Sequence, residues 1–332
     1  MTSPTKVAVI GGGSWATALV KILSENDVLI NWWIKNDEDV IHIQNLGVNP
    51  KYLSNIRIDL KKVKPLNNIN QTLEGVSVVI FAVPAAFIRE VLALLTPRQL
   101  KDKILVSAIK GMIPGLNILV TEYLQKEFKA RKENLCMISG PCHSEEVALE
   151  KRSYLTIACI EQEAGQAIAR LLNCKFVKTT TILDLYGVEY CAVLKNVIAL
   201  ACGVAHGLNY GDNFQAVLVS NALQEIEVFL NKSYPMQRNL SASAYLGDLL
   251  VTTSSQFSRN RTLGNMIGRG YSVRSAQIEM NMVAEGYWAV KCIQEVNKKL
   301  QLKLPITKAV YNIFYEKISP AVELRILEDV FS

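Results

Sequence analysis

Lys195 and Asn196 interrupt the apolar stretch from Tyr186 to Leu208, whose composition predicts a helix buried on most faces. A charged amine there needs a partner or a task. Burial lowers a lysine's pKa towards values useful for moving protons near neutral pH. The alternatives are an ammonium that snorkels to water and a structural ion pair with a carboxylate. Further along, Leu246-Gly247-Asp248-Leu249 sets an aspartate in an apolar neighbourhood, as a cap, a structural ion pair or a partner for an amine. Ser258-Arg259-Asn260-Arg261 gathers hydroxyl, guanidinium and amide; it reads either as a polar turn or as a grip on a phosphate, which arginine holds with two parallel hydrogen bonds. Val283-Ala284-Glu285-Gly286 puts a carboxylate beside a glycine, which an ordinary helix start would also do.

A second kind of chemistry is written near the start of the chain. The apolar run Lys6 to Ile10 leads into Gly11-Gly12-Gly13-Ser14-Trp15-Ala16 and then a helical pattern. Strand, glycine loop and helix in that order form the dinucleotide fingerprint G-x-G-x-x-A. Gly11 permits the tight turn, Gly13 leaves room for a pyrophosphate, and Ala16 lets helix and strand pack closely. The helix N-terminus offers N–H groups to the phosphates. The next strand, Val28 to Ile34, ends in Lys35-Asn36-Asp37. Lys35 suits a 2′-phosphate and Asp37 a ribose hydroxyl, so NAD and NADP both stay open.

The elements that must position these residues change character along the chain. Apolar runs at Val76 to Val83, Ile104 to Ala108, Leu135 to Ile138, Tyr154 to Ile160 and Phe176 to Thr180 alternate with helical spacing. That pattern predicts a doubly wound, Rossmann-like α/β sheet, with ligands beyond the carboxyl ends of the strands. Lys110 and the Gly140 loop follow two of those ends. Residues 36–75 form a mixed stretch rich in Asn and Lys. From about Asp184 the strand-like runs stop, and helices are expected at 186–208, 212–231, 244–256, 274–299 and 306–317. The division is therefore a dinucleotide-binding domain, 1–184, and an all-helical substrate-binding and catalytic domain, 185–332.

The bulk numbers fit a two-domain enzyme. The chain has 332 residues, half of them hydrophobic, enough for two cores. Its net charge of +6 is spread rather than striped. That argues against a nucleic-acid partner and for an anionic small substrate. Seven cysteines form no C-x-x-C pair, and no secretory leader or membrane span is expected, so a reducing cytoplasm is the reading. The best candidate span, Val76 to Leu95, contains Pro84, Arg89 and Glu90. His42, His143 and His206 lack metal-ligand spacing, and no metal is expected. The apolar helical half suits self-association into a homodimer.

These features resemble the bacterial-type NAD(P)-dependent glycerol-3-phosphate dehydrogenases over essentially the whole chain. The motifs are Gly-Gly-Gly-Ser-Trp-Ala at 11–16, Lys-Gly at 110–111, Ser-Gly-Pro at 139–141, Leu-Lys-Asn at 194–196, Leu-Gly-Asp at 246–248, Ser-Arg-Asn-Arg at 258–261 and Glu-Gly at 285–286. The resemblance implies that NAD or NADP is bound by Gly11, Gly13, Ser14, Trp15, Lys35, Lys110, Ser144, Arg259, Val283 and Glu285. It implies a substrate site of Lys110, Gly140, Cys142, Lys195, Asp248, Ser258, Arg259 and Asn260, with Lys195 as proton acceptor. The implied reaction interconverts sn-glycerol 3-phosphate and dihydroxyacetone phosphate and supplies glycerol 3-phosphate for phospholipid synthesis. Cys142 and His143 stand where the family usually has a threonine and an aromatic residue, and Tyr245 replaces a small residue. The other readings are a dehydrogenase of the same architecture acting on a hydroxy acid, and a non-catalytic nucleotide sensor.

Overall fold

The structure is a computed structural model and describes residues 4–280 and 283–331. It divides into two compact units: residues up to Ile109 with Val120–Leu185, and Lys110–Leu119 with Tyr186 onward.

The first unit is built on one eight-stranded sheet. Its strands are β1 (Thr5–Ile10), β2 (Val28–Trp33), β3 (Val63–Leu66), β4 (Val78–Phe81), β5 (Ile104–Ser107), β8 (Leu135–Ser139), β9 (Ser153–Cys159) and β10 (Val177–Ile182). The spatial order is β10-β9-β8-β5-β4-β1-β2-β3. From β3 to β8 every pair is parallel, with Val7 opposite Ile30 and Val78 across β1, and Val106 opposite Cys136. Strands covered on both faces read as continuous apolar runs, and Val7 to Ile10 and Val78 to Phe81 are accordingly buried throughout. The β8–β9 pair is antiparallel, while β9 and β10 run parallel through the crossover helix Gln162–Leu172. The doubly wound part thus ends at β8, with two strands of opposite direction added.

β3 lies in the mixed stretch 36–75, which gave no strand signal. It is an edge strand, where Pro65 removes no ladder hydrogen bond that the sheet needs.

Among its described residues the second unit has one small antiparallel hairpin, β6 (Met112–Ile113) with β7 (Ile118–Leu119), contributed by the segment Lys110–Leu119, and its other regular elements are helices. At its centre runs the 23-residue helix Leu185–Gly207. By length and composition it could cross a membrane, a test Val76 to Leu95 was expected to come nearest to passing. Its apolar window is buried throughout inside the protein, and its apolarity serves the core. The helices Asp212–Ser233, Arg259–Gly268, Glu285–Leu300, Pro305–Phe314 and Pro320–Glu328 belong to the same unit. The expected single helix 274–299 contains residues 281 and 282, which lie outside the described residues; on either side stand Val273–Glu279 and Glu285–Leu300. The expected helix 244–256 is a π-helical turn, Ser243–Gly247, followed by Asp248–Ser254. Such wide turns recur at functional sites, and this one delivers Asp248.

Candidate active site

In the first unit the glycine loop leaves the carboxyl end of β1. Gly11 has φ +136°, a conformation glycine adopts readily, and an added Cβ would lie 2.4 Å from the Ala82 carbonyl oxygen. The loop is braced from behind: the Gly11 N–H donates to Trp33 O at 3.0 Å, Trp32 Nε1 to Gly11 O at 2.6 Å, and Asn49 Nδ2 to Gly12 O at 3.0 Å. Gly13 differs from Gly11, because a Cβ there would meet nothing within 4 Å. It precedes the helix Ser14–Ser24, whose N-terminus has no side-chain cap. Open space in front of uncapped N–H groups is what a pyrophosphate requires. Trp15 Nε1 is buried with no hydrogen-bond partner among the described residues, a donor available to a ligand. These residues fit a dinucleotide.

The other residues expected at the cofactor, and Gly140 and Cys142 expected at the substrate, follow strand ends of the same sheet or belong to the second unit. Lys35 comes just after β2; its side chain is exposed and 3.6 Å from Glu90. Asp37 begins the helix Asp37–Leu46 and accepts a hydrogen bond from Asn67 at 2.7 Å. Gly140 follows β8 with φ +106°, packed so that a Cβ would lie 2.8 Å from Tyr154 O. Cys142 and Ser144 are buried, and Ser144 Oγ donates to Glu145 at 3.0 Å. In the second unit, Val283 is half-buried just ahead of the helix that Glu285 begins.

That unit also brings Lys110, Lys195, Asn196, Asp248, Ser258, Arg259 and Asn260 together as one set of elements. Lys195 lies midway along the central helix and is 2% exposed. Its Nζ donates to Asp248 Oδ1. Asp248, 1% exposed, also lies 3.4 Å from Lys110 Nζ through Oδ2. One carboxylate therefore serves two amines. Burial is the largest influence on Lys195 and lowers its pKa to about 7; Asp248 opposes that fall and Lys110 adds to it. A buried amine poised near neutrality can give or take a proton at a substrate oxygen.

Asn196 was singled out in the sequence only as Lys195's neighbour, and it turns out to knit the site. Its Nδ2 donates to the Lys110 carbonyl at 2.7 Å, and its Oδ1 accepts from Asn260 Nδ2 at 2.9 Å. Asn260 Oδ1 in turn accepts from the Gly286 N–H at 2.8 Å. The amide of Asn260, expected to face a phosphate, thus spends most of its hydrogen-bonding capacity on protein. The available signal for Asn196 was an amide buried in an apolar helix; its partners, far away in sequence, left none.

Ser258 caps the helix Arg259–Gly268, its Oγ accepting from the Arg261 N–H at 3.3 Å. The Ser-Arg-Asn cluster is therefore a helix N-terminus and not a polar turn, and Arg259 is its first residue, half-buried. Guanidinium and N-terminal N–H groups together favour an anion there.

The sequence profile described as NAD-dependent glycerol-3-phosphate dehydrogenase N-terminus matches residues 6–165, and the corresponding C-terminus profile matches residues 184–325. The glycerol-3-phosphate dehydrogenase [NAD(P)+] of Bacillus licheniformis is 35% identical over 323 residues, 96% of this chain and 93% of that protein. The enzyme of the same name from Bacillus subtilis is 33% identical over 321 residues, again 96% of this chain and 93% of its own length. A solved structure of glycerol-3-phosphate dehydrogenase from Coxiella burnetii superposes with a TM-score of 0.92 at 27% identity, covering 98% of both chains. With both of its parts matched and 96% of its length shared with a relative 35% identical, this chain belongs to the NAD-dependent glycerol-3-phosphate dehydrogenase family.

Proposed function

We propose that the chain interconverts sn-glycerol 3-phosphate and dihydroxyacetone phosphate with NAD or NADP, supplies glycerol 3-phosphate for phospholipid synthesis, and works in the cytoplasm as a homodimer. Residues 1–184 hold the nucleotide. Residues 185–332, joined by Lys110, hold the substrate and move the proton. The observation that carries this reading is the buried Lys195–Asp248 pair with Lys110 beside it, in a chain matched to the family along its length.

The nucleotide, when bound, supplies or accepts the hydride at C2 of the substrate. Gly13, Ser14 and the helix N-terminus hold its phosphates, with Trp15, Lys35, Ser144, Val283 and Glu285 as further contacts. During reduction, negative charge grows on the carbonyl oxygen. The Lys195 ammonium stabilises that charge and then gives up its proton; during oxidation the neutral amine takes the hydroxyl proton. Asp248 keeps Lys195 oriented and favours its charged form, and Lys110 adds positive charge beside the same oxygen. Arg259 and the helix N-terminus at Ser258 and Asn260 hold the substrate phosphate, which fixes orientation through a group that does not react. Gly140 and Cys142 complete the substrate contacts. For Cys142 the backbone makes the contact, since no hydroxyl stands there.

The test follows NADH or NADPH absorbance with dihydroxyacetone phosphate, in the parent and in Lys195→Ala. Turnover is expected to fall on the order of 10³-fold with nucleotide affinity retained. A variant within tenfold of the parent would remove Lys195 from the proton-transfer step.

A further inference from the structure

We propose that interleaved glycines lock the lysine helix and the arginine helix in register, so that Gly203, Gly207, Gly264 and Gly268 are positioning residues that fix Lys195 relative to Arg259. The inference rests on the function proposed above and deepens it.

Glycine is, after proline, the poorest helix former, yet Gly203 and Gly264 lie inside two helices, and Gly207 and Gly268 are the last residues of the same two. Each glycine is a point of backbone-to-backbone contact. A Cβ on Gly264 would lie 2.2 Å from Leu200 O, and one on Gly268 would lie 2.4 Å from Val204 O. In the other direction, a Cβ on Gly203 would lie 2.2 Å from Arg261 O, and one on Gly207 would lie 2.4 Å from Asn265 O. The contacts interdigitate, and their order gives the direction. Leu200 meets Gly264 and Val204 meets Gly268, so the two helices run parallel and advance together by four residues.

One step earlier in the same ladder stands the buried amide pair, Asn196 Oδ1 accepting from Asn260 Nδ2 at 2.9 Å. This hydrogen bond is independent of the glycines and confirms the register. Lys195 and Arg259 immediately precede the two asparagines, so the lock places both at the same level of the helix pair. A side chain on any of the four glycines would part the backbones. Lys195 would stay, because Asp248 holds its amine and the Lys110 carbonyl holds the neighbouring Asn196 from other elements. Arg259 would move with its helix. The amine and the guanidinium, bound to opposite ends of one three-carbon substrate, would no longer match its length.

The experiment compares dihydroxyacetone phosphate with dihydroxyacetone, which has the same carbonyl and no phosphate, in the parent and in Gly264→Ala, with the folded fraction measured by calorimetry. A displacement of roughly 1 Å should lower kcat/KM for the phosphorylated substrate by about 100-fold. For dihydroxyacetone, which has no phosphate for Arg259 to hold, the fall at saturating nucleotide should be under about threefold. Equal losses on both substrates, or none on either, would overturn the lock as a positioning device. If Gly264→Ala does not fold, Gly268→Ala, one rung further from Arg259, carries the same comparison and the same two outcomes. A parent that reduces neither compound with NADH or NADPH removes the function itself, and the inference falls with it.

Discussion

Lys195 carries its positive charge at the expense of burial, and Asp248 is what makes that charge affordable. With the lysine lowered to about 7, its neutral form dominates above that pH and its ammonium below. In the proposed mechanism oxidation of glycerol 3-phosphate needs the neutral amine, so kcat/KM in that direction should rise with pH through the neutral range and level off above it. Reduction needs the ammonium and should show the mirror-image fall. Asp248 holds the proton on, so Asp248→Asn should move both limbs to lower pH. A pH–rate series on the two proteins checks this, and limbs that stay in place would unlink Asp248 from the titrating group. A residue-scale contrast exists at the glycine loop. Gly13 has φ −79° and open space at its Cβ, so Gly13→Val should fold with nearly parental stability. It should nevertheless lose nucleotide affinity by more than about tenfold, since its side chain occupies the phosphate space. Titration of intrinsic fluorescence beside a thermal melt separates the two effects. Lys195, Asp248 and the glycine loop could be picked out in the sequence because each is a residue type out of place in its local pattern. That one carboxylate serves both Lys195 and Lys110 could not, because the three residues are remote from one another along the chain and only the fold brings them together.

At the scale of elements, the same distinction separates caps made locally from caps supplied by another helix. Ser258 capping its own helix is a pattern of adjacent residues. The helix Pro305–Phe314 has no side-chain cap of its own. Its first turn is capped by Glu225 of the helix Asp212–Ser233, which accepts from the Ile306 N–H at 2.8 Å, the Thr307 N–H at 3.0 Å and the Thr307 hydroxyl at 2.5 Å. Glu225 is only 5% exposed, and burial raises its pKa against the opposing pull of those donors. Removing the carboxylate would leave three buried donors without an acceptor. Glu225→Ala should therefore cost about 3 kcal/mol in urea unfolding. The sequence showed only a glutamate in a helix, and nothing pointed to its partner. The hairpin within Lys110–Leu119 was equally hidden, its strands being two residues each. The strand β3 was masked by Lys64 and Pro65, which an edge position tolerates. Long, strongly patterned elements such as β1, β4 and the central helix were legible because burial on all sides leaves a continuous apolar run.

For the whole molecule, net charge acts before any contact is made. The chain carries +6, and its proposed ligands, a phosphorylated three-carbon compound and a dinucleotide, are both anions. Spread over a surface without a single stripe, that charge gives a long-range attraction and no nucleic-acid track. Ions screen it over about 8 Å at physiological ionic strength, while the buried Lys195–Asp248 pair lies beyond their reach. The two kinetic constants should then separate. Raising sodium chloride from about 0.02 to 0.5 M should increase KM for dihydroxyacetone phosphate several-fold and leave kcat within about twofold. Arg259, half-buried and proposed to hold the substrate phosphate, should add to the salt effect, so Arg259→Lys should keep the trend at a higher KM. Steady-state assays at fixed pH across that salt range make the check. A kcat that falls in step with the rise in KM would mean that salt reaches Lys195, contrary to its 2% exposure.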